Sequence, residues 1–461
     1  MRGWPRLAQL LTPVIALLIL LVVVLALAFG GGDGLTRRTV LQAVERDGVI
    51  CFLADGRQIR GTVEGDSCTL QSTWDGRTAA VRVRVGGRTA LYRLTDNGAE
   101  LLCDDLYEGI AVIAAYSGDI AYVKTAGGEQ QVMLCTAEGE RLLATGKPYT
   151  FDIANTPLLL AADGSAAACV LEEDSGCMLY VYANGETTAV GADCLPLAVS
   201  SGGVYVYAYH TPTSTTLAWT DGETCTLAEG GRVPLWSNRD GREVLLARDG
   251  GMYVSEKGGE PRKLIGKPVG ALPLLQPCNM AADGVVLPVD SFEKELLQTE
   301  EAVYRATDGE TAKMASGGGF FLSRDGETLV YLKEGRLYRA ATDDPLDAVR
   351  LADAVTQAVC SADGRTIFFL IGDALFAIDG DNAPTPVAEG VERLVVTAKG
   401  HAFFTIDGVL FSCTDGETHQ QVRDVKGEVK ALSCIDNAVL VYDTDGEVYA
   451  STGNTRFREI K

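Results

Sequence analysis

Apolar and polar positions follow two unlike patterns along this chain. From Leu7 to Phe29 the residues are apolar except Gln9, Thr12 and Pro13. After Gly34 the apolar residues come in short runs, separated by Gly, Asp, Asn and Ser. The first pattern predicts one transmembrane helix, since about 20 apolar residues span a bilayer core and a helix satisfies its own backbone. Pro13 falls in the first turns, where a missing N–H costs little. Arg2 and Arg6 precede the span, and positive charge is retained on the cytoplasmic side. The expected layout is therefore a cytoplasmic tail at 1–6, a signal anchor at 7–29, a linker at 30–40, and an extracytoplasmic region at 41–461. Ala26-Leu27-Ala28 has the small-x-small form of a signal-peptidase site. The apolar stretch is longer than the h-region of a cleaved peptide, so an uncleaved anchor is the reading and cleavage the alternative.

The second pattern repeats about every 40 residues. An apolar strand leads into Ser-x-Asp-Gly or a variant, and a second apolar strand follows. Full copies are Ser323-Arg324-Asp325-Gly326 and Ser361-Ala362-Asp363-Gly364, with Asn238-Arg239-Asp240-Gly241 placing Asn for Ser. Weaker copies surround Asp75, Ser117, Asp163, Ser201, Asp283, Lys399 and Asp436. Third and fourth strands follow in each unit, joined by turns such as Asp379-Gly380 and Asp415-Gly416. Asp-Gly tolerates the positive φ angles of tight hairpins. Four short antiparallel strands per repeat make one blade of a β-propeller. The expectation is an all-β chain with about ten blades from residue 66 onward, preceded by a hairpin from Val49 to Val63. One wide ring and two tandem rings both fit. A boundary between two rings would fall in Gly202–Arg239. The charged segment Ser291 to Leu297 is read as a short helix.

The Ser-x-Asp-Gly line resembles the repeat of TolB-like β-propellers, best at 234–246, 320–331 and 358–370. The Pro common at the x position of that family is replaced by Arg or Ala at 239, 324 and 362. The resemblance implies a propeller acting as an interaction platform in the cell envelope. It transfers no catalytic residue, because Ser, Asp and Gly build the turn.

Composition narrows the chemistry. The chain carries 40 Lys+Arg against 62 Asp+Glu, a net charge of −22, which disfavours nucleic acid, whose phosphates need cationic partners. Twelve cysteines are present without any Cys-x-x-Cys, and most lie inside apolar runs, as small buried residues do. Cys169 and Cys177 flank a turn and are the one pair placed for a cross-hairpin disulfide. No Gly-x-Ser-x-Gly elbow and no phosphate-binding Gly-x-x-x-x-Gly-Lys loop occurs. The acidic turns at 379–382 and 443–447 lack the register of a calcium loop. No metal and no cofactor is expected.

The function expected is a membrane-anchored propeller that binds a protein, peptide or glycan of the envelope and is not an enzyme. The alternative is a propeller enzyme acting on polysaccharide, with a site gathered from several blades. Long connections between strands four and one, or two and three, share one end of a propeller. The candidates of these kinds are Asp104–Glu108, Gly146–Asn155, Tyr209–Thr216 and Asp290–Glu301. Aromatic residues bury much area at little entropic cost, so the expected ligand-binding residues are Tyr107, Tyr149, Phe151, Tyr209, His210 and Phe292.

Overall fold

Strands and turns account for all the described structure, in the order the repeats predict. The computed structural model describes residues 39–461 apart from 151–156, 175, 202–203, 210–213, 220–223, 230–234, 239, 249–250, 258, 266–273, 276–295, 299–301, 308–309, 317–318 and 344–346. Eleven antiparallel sheets follow one another along the chain, and in each of them every strand pairs with the next in sequence. The first has three strands, Leu41–Arg46, Val49–Ala54 and Arg57–Glu64. The other ten have four, the strand order of propeller blades. They span 67–103, 106–145, 158–192, 194–229, 235–265, 274–316, 320–352, 357–388, 391–421 and 429–459.

The expected opening hairpin is present, with its turn at Asp55 (φ +49°) and Gly56 (φ +70°). Its additional strand, Leu41–Arg46, escaped the sequence reading because Gln42, Glu45 and Arg46 interrupt the apolar pattern. The expected helix is corrected at its end: Leu296–Gln298 is a strand, because Leu296 and Leu297 pair with Arg305 and Tyr304.

Several central strands are apolar at almost every position, which period-two alternation alone does not explain. The ninth sheet shows the cause. Phe368 and Leu370 pack toward the tenth sheet, with Leu394 and Phe404. Ile367 and Phe369 pack toward the eighth, with Val330 and Leu337. A sheet covered on both faces needs apolar residues of both parities. The four side chains Phe368, Phe369, Phe403 and Phe404 are fully buried, each worth about 1.5–3 kcal/mol relative to exposure.

The same face-to-face packing joins first to second, second to third, third to fourth, fourth to fifth and tenth to eleventh sheet. Further along, Cys194–Val199 lies beside Leu235–Ser237, and Arg262–Ile265 beside Glu310–Ser316. The last sheet meets the first: Val44, Cys51 and Leu53 pack with Leu440, Val448, Ala450 and Ile460. Gln58 Nε2 donates to the Lys461 carbonyl at 2.7 Å, and Arg46 binds the Ile460 carbonyl and Glu447. Thr39–Lys461 forms one compact unit.

The eleven described cysteines are free thiols. Cys169 stands opposite Tyr180, and Cys177 opposite Glu172. Cys169 packs toward the third sheet and Cys177 toward the fifth, so the cross-hairpin disulfide is not formed. Among the described residues no helix is long and apolar enough to cross a membrane. The signal anchor expected at 7–29 lies outside the described residues.

Candidate functional site

The turn between strands one and two is built the same way in sheet after sheet. In the ninth, Ser361 Oγ accepts the Thr366 N–H at 2.9 Å and donates to Asp363 Oδ1. That carboxylate also accepts the Arg365 N–H at 3.0 Å. Ser323 and Asp325 repeat this in the eighth sheet, and Thr73 with Asp75 in the second. In the sixth, Asn238 Oδ1 takes the serine role and accepts the Glu243 N–H at 3.0 Å. Short polar side chains that bond nearby backbone stabilise a turn of this kind.

These turns are tied to one another. The Arg324 N–H donates to Ala362 O at 2.7 Å, Ala362 N–H to Ala398 O at 2.9 Å, and Ala398 N–H to Asp436 O at 2.7 Å. Trp74 N–H likewise reaches Ala115 O at 2.9 Å, and Tyr116 N–H reaches Ala162 O at 2.7 Å. Proline has no N–H to give. The absence of the family's proline at 324 and 362 therefore leaves a donor for each of these bonds.

One side chain crosses the row. Arg324 extends past Ala362 and Ala398 and places Nη2 3.3 Å from Asp436 Oδ1. The two side chains are 14% and 4% exposed. Asp436 holds a φ of +53°, in a two-residue turn where other sheets have longer ones. Asn437 Nδ2 donates to the same Oδ1 at 3.1 Å. Arg324 Nη2 and Asn437 Oδ1 are both covered, and neither makes a hydrogen bond.

A cleft of about 560 Å³ opens at the same end, between the eighth and ninth sheets. Arg339 lies in its wall, donating from Nη1 to Gly380 O at 2.8 Å and from Nη2 to Asp381 at 2.5 Å. Arg365 and Asp379 face it as an exposed pair at 3.3 Å.

Other titratable groups are held in resting forms. Burial pushes the Cys169 and Cys360 thiols up to about 12. Burial, opposed by hydrogen bonds from the backbone, brings Cys103 to about 11. His401 Nδ1 donates to Gly453 O at 2.9 Å, and His419 Nδ1 donates to Val387 O at 2.9 Å. Among the described residues no group of three or more His, Cys, Asp or Glu is arranged to hold a metal.

The residues expected from sequence lie at the opposite end of the strands. Tyr107 is half-buried in strand Leu106–Ile113 against the core between the third and fourth sheets. Burial first, then Glu108, raises its hydroxyl above the ordinary range. Tyr149 is half-buried against the core between the fourth and fifth sheets, and its N–H donates to Val170 O at 2.9 Å. Lys147, two residues away, pairs with Glu172 at 2.7 Å. Tyr209 ends strand Val204–Tyr209. Phe151, His210 and Phe292 lie outside the described residues. The connection 276–295 that carries Phe292 joins the first and second strands of its sheet. It therefore opens at the end opposite to the one expected from sequence.

Arg324, Asp436, Asn437 and Trp74 were missed as candidates. All but Asn437 occupy or adjoin the x position of the repeat, a register that was read only as a turn.

No protein-family model matches the chain, and no curated protein is detectably similar. Solved structures with some likeness include a eukaryotic initiation factor, at 11% identity over 75% of this chain and 95% of that one, TM-score 0.45. Another is oligogalacturonate lyase from Vibrio parahaemolyticus, at 12% identity over 75% and 95%, TM-score 0.32. A third is a putative TolB from Agrobacterium tumefaciens, at 14% identity over 47% and 86%, TM-score 0.28. At these values the likenesses carry no inference about activity or partner.

Proposed function

We propose that this chain is a TolB-like β-propeller closed into a single ring of eleven blades. It serves as a membrane-tethered, extracytoplasmic platform that binds a protein, peptide or glycan of the cell envelope, and it has no catalysis of its own. The observation that carries the reading is the packing of the first sheet. Its alternate residues meet the second sheet on one face and the eleventh on the other, as closure requires. A closed ring buries both faces of every blade and leaves only turns and connections to meet a partner. The buried, protonated thiols and the carbonyl-bonded histidines support binding over catalysis.

The test has two arms. Full-length protein should remain with membranes, and protease added outside should reach residues beyond 34. Replacing Leu18 and Leu21 with Arg should block insertion, at about 2.5–3.5 kcal/mol per central charge. Capture of envelope components by the full chain in mild detergent should return a specific partner. A soluble mature form beginning near Phe29 would replace the anchor with a cleaved signal peptide. Turnover of an envelope polysaccharide would overturn the non-catalytic reading.

A further inference from the structure

The row of strand one-to-two turns leaves few backbone groups for a partner. At Arg324, Ala362 and Ala398 the N–H is spent on the next turn, and the carbonyls of Ala362, Ala398 and Asp436 are spent in return. Addition of a partner's β-strand therefore finds nothing to pair with along this arc. Recognition there falls to side chains.

The side chains form an electroneutral seat. Asp436 already balances the Arg324 guanidinium at 3.3 Å, so an incoming anion would face Asp436 and a cation would face Arg324. Two unmet needs remain around one carboxylate oxygen: a donor at Arg324 Nη2 and an acceptor at Asn437 Oδ1. Buried polar atoms in native proteins are nearly always paired, and an unpaired one calls for an explanation such as an absent water or ligand. The group that meets both needs with a single atom is a hydroxyl, which accepts one hydrogen bond and donates another. Asp436 is also a non-glycine residue held at φ +53°, the kind of backbone outlier found where function fixes the conformation. Arg324 and Asn437 keep partial exposure, so the seat lies at the surface of the rim. On the same rim, at the corresponding turn of the second sheet, stands the half-buried Trp74. An indole offers an apolar face beside a polar edge, which suits a ligand bearing hydroxyls around an apolar ring.

We propose that Arg324, Asp436 and Asn437 form a seat for a hydroxyl of a neutral oligosaccharide on the strand one-to-two rim. The inference rests on the binding-platform reading and names its ligand class. It places the ligand at the other end of the strands from Tyr107 and Tyr149.

The test titrates the full chain in mild detergent with cellohexaose, mannohexaose and chitohexaose, read by calorimetry and tryptophan fluorescence. At least one should bind. Its affinity should fall tenfold or more in Asn437→Leu and in the double variant Arg324→Met/Asp436→Leu, which removes the pair without stranding a charge. Asn437→Leu alone decides the matter should the double variant fail to fold. Failure of all three sugars to bind overturns the proposal, as does undiminished binding in Asn437→Leu. Tighter binding of hexagalacturonate overturns the neutral assignment. A high-resolution structure with an ordered water in the seat, unmoved by added sugar, overturns it as well. An envelope protein captured equally by wild type and Asn437→Leu removes the sugar seat while leaving the platform reading intact.

Discussion

Gly364 and Gly372 sit at opposite ends of one strand of the ninth sheet, at φ +67° and +64°. Both turns need a residue that tolerates the left-handed region. Their surroundings differ. A Cβ at Gly364 would lie 3.1 Å from Thr328 Cγ2 of the eighth sheet, whereas one at Gly372 would meet open space. The contact at Gly364 recurs: Gly400 approaches Thr366 at 2.9 Å, and Gly118 approaches Thr78 at 3.0 Å. The strand one-to-two end is thus where sheets lock to their neighbours, through glycine contacts and turn-to-turn hydrogen bonds. The other end closes its hairpins locally, as Gly86-Gly87 and Gly127-Gly128 do with nothing near their α-carbons. One end fixes the spacing of the sheets, and the other is free to vary its connections.

The largest expected effect tests the buried charge at the locked end. Asp436→Ala strands the Arg324 guanidinium and should cost about 3–5 kcal/mol in urea unfolding. Glu172→Ala breaks the exposed pair with Lys147 at the other end and should cost under about 1 kcal/mol. Equal losses would dissolve the contrast between the ends. Next comes the glycine pair. Gly364→Val should cost about 3 kcal/mol, strain and overpacking together, against about 1 kcal/mol for Gly372→Ala. A third measurement sharpens the account of the turn. Ser361→Ala removes the acceptor of the Thr366 N–H and should cost about 1–2 kcal/mol. Ser361→Thr should restore most of it, as Thr73 fills that role in the second sheet.

The smallest effect at neutral pH concerns the thiols. Cys169 and Cys360 titrate near 12 in the folded chain, against an ordinary value of 9.0. A raised folded value means the folded state holds its proton longer. This contribution to stability is complete below pH about 9 and is lost as pH rises toward about 12. Native protein at pH 8 should therefore leave both thiols unmodified by an aromatic disulfide reagent, and urea should release them. Rapid labelling of either thiol in folded protein would contradict the packing described for its sheet.

Sequence alone determined the unit of this architecture. The spacing of Ser-x-Asp-Gly turns between apolar strands gave ten four-stranded units and an opening hairpin, because turn chemistry is local and each residue of it acts within a few positions. It also marked Gly326 and Gly364 as turn glycines, and both adopt positive φ. The strand Leu41–Arg46 was not legible, since its place depends on pairing with Val49–Ala54 and on two neighbouring sheets rather than on its own pattern. The division of Phe368 from Phe369 between two cores was equally hidden, as was the meeting of the first sheet with the last. Arg324 and Asp436 stand 112 residues apart in sequence and became partners only because three turn-to-turn hydrogen bonds set their turns in one row. Local periodicity writes the blade. Which blades touch, and which side chains then face each other, is settled by long-range packing that no window of the sequence contains.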